Sequence, residues 1–387
     1  MTLAGKAAIA GLGYTEFSVA SGRSEVQLAL EAITAALADA GLSSRDVDGM
    51  VTYTADKNDE TDLHYNLGGQ DLKFFAKGDY GGGAACAPLL HAAMAVATGV
   101  CQAVVCYRAM NERSAYRFGA GTGAPRASSS GSFAQLHTLQ GIRTPAASIG
   151  MLVRRYMHET GATSADFGQV AVSARKHAST NPLARFHGKP ITLEDHQASR
   201  MIVDPLRLLD CCQESDGAVA LVITSTERAR DLAQKPVLIR SASQGISPRH
   251  FSMYSYYRSD LAFADDAALV GRELWHQSGL SPADIDLAIL YDHFGPSVLM
   301  QLEAYGFCAR GEAKDFIKGG NIELGGGLPV NTNGGQVGEA YIHGMNGIAE
   351  AVRQLRGTAS NQVVGARNAL VTAGIGVPTS GAVLGVD

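Results

Sequence analysis

One stretch of this chain occurs twice. Gly41-Leu42-Ser43-Ser44-Arg45-Asp46-Val47-Asp48-Gly49-Met50-Val51 recurs as Gly279-Leu280-Ser281-Pro282-Ala283-Asp284-Ile285-Asp286-Leu287-Ala288-Ile289. Each copy follows a segment with helical apolar spacing, residues 26–40 and 266–278, and each runs into a short apolar strand. Glycine at a helix end and Ser-x-x-Asp opening a turn are stop and start signals. A repeat so widely separated restricts the fold to two similar α/β halves packed together, each a mixed sheet covered by helices.

A chain of 387 residues can bury two such cores. With 46% apolar and 18% charged residues, the composition is that of a packed domain rather than a disordered chain. The formal net charge is −5 and no long basic run occurs, which argues against nucleic acid or an acidic membrane surface as partner. No stretch reads as a membrane span, and the N-terminal residues read as a first buried strand rather than a signal peptide. The six cysteines form no C-x-x-C pair and suggest no disulfide framework. A reducing cytoplasm is the expected compartment.

The spacing predicts an alanine-rich helix over 89–99, buried strands over 103–107 and 216–224, helical segments over 146–200, and a surface helix over 226–235. A second half is expected to begin near Pro236. The expected division is therefore residues 1–235, with a loop domain over about 112–200, and residues 236–387. Residues 112–145, rich in Gly, Ser, Ala and Arg, are too long for a simple connection, so they are expected to cover a site or a partner surface. The aromatic stretch His250-Phe251-Ser252-Met253-Tyr254-Ser255-Tyr256-Tyr257 is expected either to form a second such surface or to pack between the halves.

The chemistry-bearing motif is Asn331-Thr332-Asn333-Gly334-Gly335-Gln336-Val337-Gly338-Glu339-Ala340-Tyr341-Ile342-His343-Gly344. It is a glycine-rich turn running into a segment of helical character, with Tyr341 and His343 at the junction. Asn331, Thr332 and Asn333 are suited to hold such a loop by side-chain-to-backbone bonds. Glu339 is expected to face solvent, Asp292 to cap a turn or else orient a neighbour, and Cys86 to be a buried small residue. Gly11-Leu12-Gly13 lacks the third glycine of a dinucleotide fingerprint, so NAD is not indicated. The eleven histidines include no metal-binding spacing.

The Asn331–Gly344 motif resembles the Asn-Thr-x-Gly-Gly…Gly-His-Pro-x-Gly loop of the thiolase superfamily, with Tyr341 in place of the histidine. Ala8–Thr15, Ala40-Gly41-Leu42 and Asp46-Val47-Asp48 look like a thiolase opening. Arg154-Arg155-Tyr156-Met157, Asn181-Pro182, Ser199–Leu206 and Leu209-Asp210-Cys211-Cys212 resemble the sterol-carrier-protein-X branch. That branch carries His-Asp-Cys-Phe where this chain has Tyr291-Asp292-His293-Phe294. The two tyrosines, with Gly-Glu-Ala-Tyr-x-His-Gly, resemble the lipid-transfer-protein-like steroid side-chain aldolases.

The resemblance implies a thiolase-like α/β fold, two duplicated halves in a layered αβαβα arrangement with an inserted loop domain, forming a homodimer. It implies retro-aldol cleavage of a β-hydroxyacyl-CoA, with propionyl-CoA and a 17-keto steroid as products. It also implies a small zinc-ribbon and OB-fold partner, fused to or paired with a hydratase. CoA enters as part of the substrate, and no separate cofactor or metal is expected. Counting back from Gly99 to where thiolases carry their nucleophilic cysteine reaches Gly82 or Gly83. Their second cysteine falls at Gly374, in Ala373-Gly374-Ile375-Gly376. Without a thiolate there is no nucleophile for acyl transfer.

Tyr291 and Tyr341 are therefore the expected proton-transfer pair, with Tyr341 at the β-hydroxyl and Tyr291 at the enolate, or the reverse. His293 and His343 are expected to tune them. Gly82, Gly83, Gly374 and Gly376 are expected to leave room for a bulky substrate and to expose backbone N–H groups. A thioester-binding scaffold without chemistry, or an aldolase acting on another acyl-CoA, are the alternatives.

Overall fold

The computed structural model describes residues 3–54, 56–78, 81–115, 117, 139–248, 256, 258–376 and 379–387. Most of the loop expected to cover the site, and most of the aromatic stretch at 250–257, lie outside the described residues.

Nine strands form one sheet: β1 (Ala7–Tyr14), β2 (Gly49–Tyr53), β3 (Phe74–Gly78), β4 (Ala103–Asn111), β5 (Asp216–Ser225), β6 (Val237–Gly245), β7 (Leu287–Ile289), β8 (Asn368–Thr372) and β9 (Thr379–Gly385). Their spatial order is β3-β2-β4-β5-β1-β6-β9-β8-β7. The duplication is legible in the pairing. In the first half β2 lies parallel to β4, β4 antiparallel to β5, and β5 antiparallel to β1. In the second half β7, β8, β9 and β6 repeat that sequence of parallel, antiparallel and antiparallel ladders. The halves meet where β1 and β6 pair through Ala8 with Leu238 and Ile9 with Val237.

The repeated segment does the same work twice. Helix α1 (Glu25–Ala40) ends at Gly41 with φ 72°, and its counterpart Asp265–Ser278 ends at Gly279 with φ 70°. Both glycines take the left-handed conformation that closes a helix. Ser43 then donates its backbone N–H to Asp46 Oδ2 at 3.0 Å, and Ser281 donates to Asp284 Oδ2 at 2.8 Å. Each box closes a single 3-10 turn that turns the chain into β2 or β7.

The alternation of side chains along the strands places the layers. On β5, Ala218, Ala220 and Val222 join the cluster under α1, whereas Val219, Leu221 and Ile223 face the middle of the molecule. On β8, Ala369 and Val371 face the middle, and Leu370 joins the second outer core. The middle layer is filled by α2 (Ala87–Ala97) and by the helix Met345–Arg356, whose residues share one cluster with strands of both halves. The two halves of the one sheet thus each carry an outer core on one face and share the helical middle layer on the other. Gly11 and Gly13 belong to this packing: a Cβ on either would lie 2.1 Å from a carbonyl of α1, Ala36 O and Ala32 O respectively.

Between β4 and β5 the chain inserts two long helices, Pro145–Thr160 and Ser164–Thr180, with a short hairpin over Met201–Arg207. They pack against the second outer core and carry Asp210–Cys212 to the loop after β7.

Glu339 does not face solvent. It is fully buried, its carboxylate receiving Asn181 Nδ2 at 3.2 Å, Asn346 Nδ2 at 3.0 Å, the Asn333 amide, and Arg353 Nη2 at 2.9 Å. Arg353 also reaches Glu350 at 2.9 Å, and all three charges lie inside the middle layer. Burial pushes the Glu339 carboxyl up, and Arg353 opposes that shift. Replacing Arg353 by methionine strands two buried carboxylates. The expected loss is about 3–5 kcal/mol, read as a lower midpoint in urea unfolding.

Candidate active site

Tyr291 follows β7 directly, on a backbone held from four sides. Its N–H donates to Thr372 Oγ1 at 3.0 Å, and its carbonyl accepts from Ser297 Oγ at 3.0 Å and Gln301 Nε2 at 2.9 Å. One residue earlier, Asn331 grips Leu290 twice, accepting its N–H at 2.8 Å and donating to its carbonyl at 2.9 Å. Asn333 accepts the Gly335 N–H at 3.1 Å, and Thr332 donates to Glu350 at 2.7 Å. The expected loop-holding role thus belongs to all three, although Thr332 bonds a side chain rather than backbone. Asp292 is buried and caps a remote turn, accepting the Gln336 N–H at 2.7 Å.

Tyr341 lies between the short helix Gly335–Gly338 and the helix Met345–Arg356, its N–H donating to Ser215 Oγ at 3.1 Å. His343, at φ 53°, and Gly344, at φ 98°, turn the chain sharply after it. A Cβ on Gly344 would meet Ala85 Cβ at 2.7 Å and Tyr291 Cε2 at 3.0 Å, so the turn packs directly on the Tyr291 ring.

These two loops bring the phenol oxygens of Tyr291 and Tyr341 within 3.1 Å of each other. His293 stands 5.1 Å from the Tyr291 ring and His343 5.5 Å from the Tyr341 ring, between centroids. All four predicted residues therefore form one buried cluster. Burial pushes the Tyr341 phenol well above its ordinary value, and Tyr291 adds to the rise. Burial also pushes His293 down to about 4 and holds His343 well below the usual imidazole range, with Arg108 contributing there. Both rings are neutral at pH 7 and Tyr341 keeps its proton.

The glycines correct one expectation. Gly82 and Gly374 do not open room for substrate, because the Tyr291 ring occupies it. A Cβ on Gly82 would lie 1.9 Å from Tyr291 Oη, and one on Gly374 would lie 3.0 Å from Tyr291 Cδ1. Tyr291 thus fills the space into which a side chain at Gly82 would project. Gly83 offers its carbonyl to Ser380 Oγ at 2.7 Å, and Gly376 lies in the bend between β8 and β9. Cys86 is buried at the start of α2, its thiol pushed up to about 12 by burial, and is no nucleophile.

Residue-by-residue reading missed several members of the site. Arg108, wholly buried on β4, places Nη2 2.8 Å from His343 Nδ1. Tyr53 donates from Oη to the His343 carbonyl at 2.8 Å. Cys212 donates its N–H to the His293 carbonyl at 3.0 Å, and Asp210, paired with His196 at 2.8 Å, accepts from the Gly295 N–H at 2.7 Å. Only Arg108 left a trace in the sequence, as a cation within a run of buried-strand residues, where a charge demands a partner.

The buried histidines also set acid sensitivity. An imidazole depressed in the folded state binds its proton first in the unfolded chain, so stability falls as pH drops from about 6.5 toward 4. His293 contributes about 2 kcal/mol of loss between pH 7 and 5, and His343 acts in the same sense. Asp292, raised to about 6 by burial, acts in the opposite sense and offsets about 1 kcal/mol. Urea midpoints at pH 7 and 5 should differ accordingly, and the difference should shrink in His293→Gln.

Comparison with known proteins follows the same lines. The thiolase C-terminal domain-like family matches residues 249–385. The chain is 61% identical to the 17-hydroxy-3-oxo-4-pregnene-20-carboxyl-CoA lyase of Mycobacterium tuberculosis, over 99% of this chain and 100% of that protein. The chain belongs to the steroid side-chain-cleaving aldolases of the thiolase superfamily. The steroid side-chain-cleaving aldolase of Thermomonospora curvata is likewise 61% identical, over 100% of this chain and 99% of that one. Among solved structures, the Ltp2-ChsH2(DUF35) aldolase superimposes with a TM-score of 0.95 at 59% identity, covering 100% and 99% of the two chains. In this aldolase, then, the thiolase frame is kept while two phenols meet at the centre of the candidate site.

Proposed function

We propose that this aldolase cleaves the bond between the α and β carbons of a 17-hydroxy steroid C22-CoA thioester, releasing propionyl-CoA and a 17-keto steroid. The observation that carries the reading is the 3.1 Å contact between Tyr291 Oη and Tyr341 Oη, packed against the backbone of Gly82. The name of the Mycobacterium tuberculosis relative, a 17-hydroxy-3-oxo-4-pregnene-20-carboxyl-CoA lyase, supports the substrate class.

Neither phenol need ionise beforehand. Tyr341 accepts the β-hydroxyl proton while its own moves along the contact to Tyr291, and in the same step Tyr291 gives its own proton to the α carbon, so neither oxygen carries two protons. As the α–β carbon bond breaks, its electron pair gathers on the thioester as enolate character while that carbon takes the proton. The β carbon becomes a ketone. Such a relay suits a phenol whose burial opposes a standing phenolate. Every atom and proton is accounted for by substrate and side chains, so the proposed reaction calls for no cofactor.

The partner proposal rests on the structural relative, the Ltp2-ChsH2(DUF35) aldolase, being named for two components. For a homodimer the support is β3, at one end of the sheet with Phe75 60% exposed. The test is incubation of the protein with the steroid thioester, with and without the small zinc-ribbon and OB-fold protein. Equal amounts of propionyl-CoA and 17-keto steroid are expected. Tight thioester binding without product from the complete pair would replace this reading with a scaffold.

A further inference from the structure

A guanidinium has only donors. Arg108 Nη2 lies 2.8 Å from His343 Nδ1, so that ring nitrogen is the acceptor. A neutral imidazole carries one N–H, and it must then sit on Nε2.

Arg108 is not free to turn away. It is wholly buried, donates from Nη1 to the Tyr53 carbonyl at 3.1 Å, and stacks 4.9 Å from the Tyr53 ring centroid. Asp56 lies 3.9 Å from the same nitrogen and is itself tied down, accepting the backbone N–H of Ala109 at 3.0 Å and of Asn58 at 2.9 Å. The His343 backbone is held by Tyr53 Oη.

The far edge of the imidazole faces the glycine stretch. A Cβ on Gly81 would lie 3.7 Å from Nε2. One on Gly82 would lie 3.3 Å from the adjoining Cδ2 and 1.9 Å from Tyr291 Oη. The Nε2 edge therefore stands beside the tyrosine pair, where residues 81–83 carry no side chain.

We propose that Arg108 is a positioning residue that locks His343 in the Nε2–H tautomer, and that this N–H donates a hydrogen bond to the thioester oxygen as it becomes an enolate. The donor keeps its proton throughout. As the α–β bond breaks, negative charge gathers on that oxygen, and a fixed donor is worth most where charge develops. This role rests on the retro-aldol reading above.

Two substitutions separate this role from loop support. Glutamine places an amide N–H near the Nε2 position, and asparagine places one near Nδ1. At φ 53° the backbone favours asparagine. If His343 only supports the loop, His343→Asn is the better tolerated in both stability and turnover. The proposal expects the reverse for turnover: kcat falls about 10²–10³-fold in His343→Asn and roughly tenfold or less in His343→Gln, at similar KM. Nitrogen-15 histidine spectra of the unreacted protein, with its partner present, should show Nε2–H at His343. Arg108→Met should release that tautomer preference and lower kcat, and Arg108→Lys, which keeps a buried donor, should restore part of both.

An asparagine variant as active as the glutamine one, or an Nδ1–H ring in the wild type, would overturn the proposal. The spectra need no substrate. An Nε2–H ring in a protein that leaves the steroid thioester intact would therefore defeat the functional reading while keeping the Arg108 lock.

Discussion

Tyr341→Phe is expected to lower kcat on the steroid thioester by about 10³-fold, within the range for a positioned acid or base, with KM changed only a few-fold. The phenylalanine ring preserves the packing against Tyr291 and His343, so the folded state should lose about 1 kcal/mol, the net worth of one hydrogen bond. Tyr291→Phe should behave alike, because each oxygen is the other's partner at 3.1 Å. The double variant should be little worse than either single one, since groups that act as a unit do not add. If the two losses multiply, the phenols work independently and the relay is wrong. If one variant keeps near wild-type kcat, its oxygen carries no proton. Single-turnover kinetics on the three variants, with urea unfolding as the control, separates these cases.

Gly82→Ala is the second large effect. Its new Cβ would lie 1.9 Å from Tyr291 Oη, far inside any allowed contact, so the ring must leave its place. Displacing a reacting group by about 1 Å commonly costs about 10²-fold in rate, and overpacking costs about 1–3 kcal/mol of stability. Adding Tyr291→Ala to Gly82→Ala should remove the clash and restore none of the activity. Gly82→Cys should fail in the same way, without gaining thiolase activity, because the tyrosine holds the space the new side chain needs. An active Gly82→Ala enzyme would mean that Tyr291 is not where the reaction happens.

Local chemistry made the fold readable. Glycine at the ends of α1 and of Asp265–Ser278, followed by the Ser43–Asp46 and Ser281–Asp284 boxes, are short-range signals that each sit within a few residues. The clustering of four residues was legible because two motifs changed together, at Tyr291 and at Tyr341. Their contact was not legible, since it depends on how Asn331, Thr372 and Ser215 place two distant loops.

The errors have the same origin. Glu339 looked exposed because its partners Arg353 and Asn181 come from other elements of the chain. Gly82 looked like room for substrate because nothing near it in sequence reveals the Tyr291 ring that fills it. Arg108 showed only its unsuitable place in a buried strand, not the histidine it faces.

The most direct test of the account is a quenched single turnover of the 17-hydroxy C22-CoA thioester by the partnered enzyme, with products quantified and the intact protein weighed at each time. The account predicts that propionyl-CoA and 17-keto steroid appear together in equal amounts while the protein mass stays unchanged throughout. A protein carrying an acyl group during turnover would contradict it, because a covalent thioester would then do the work assigned to Tyr291 and Tyr341.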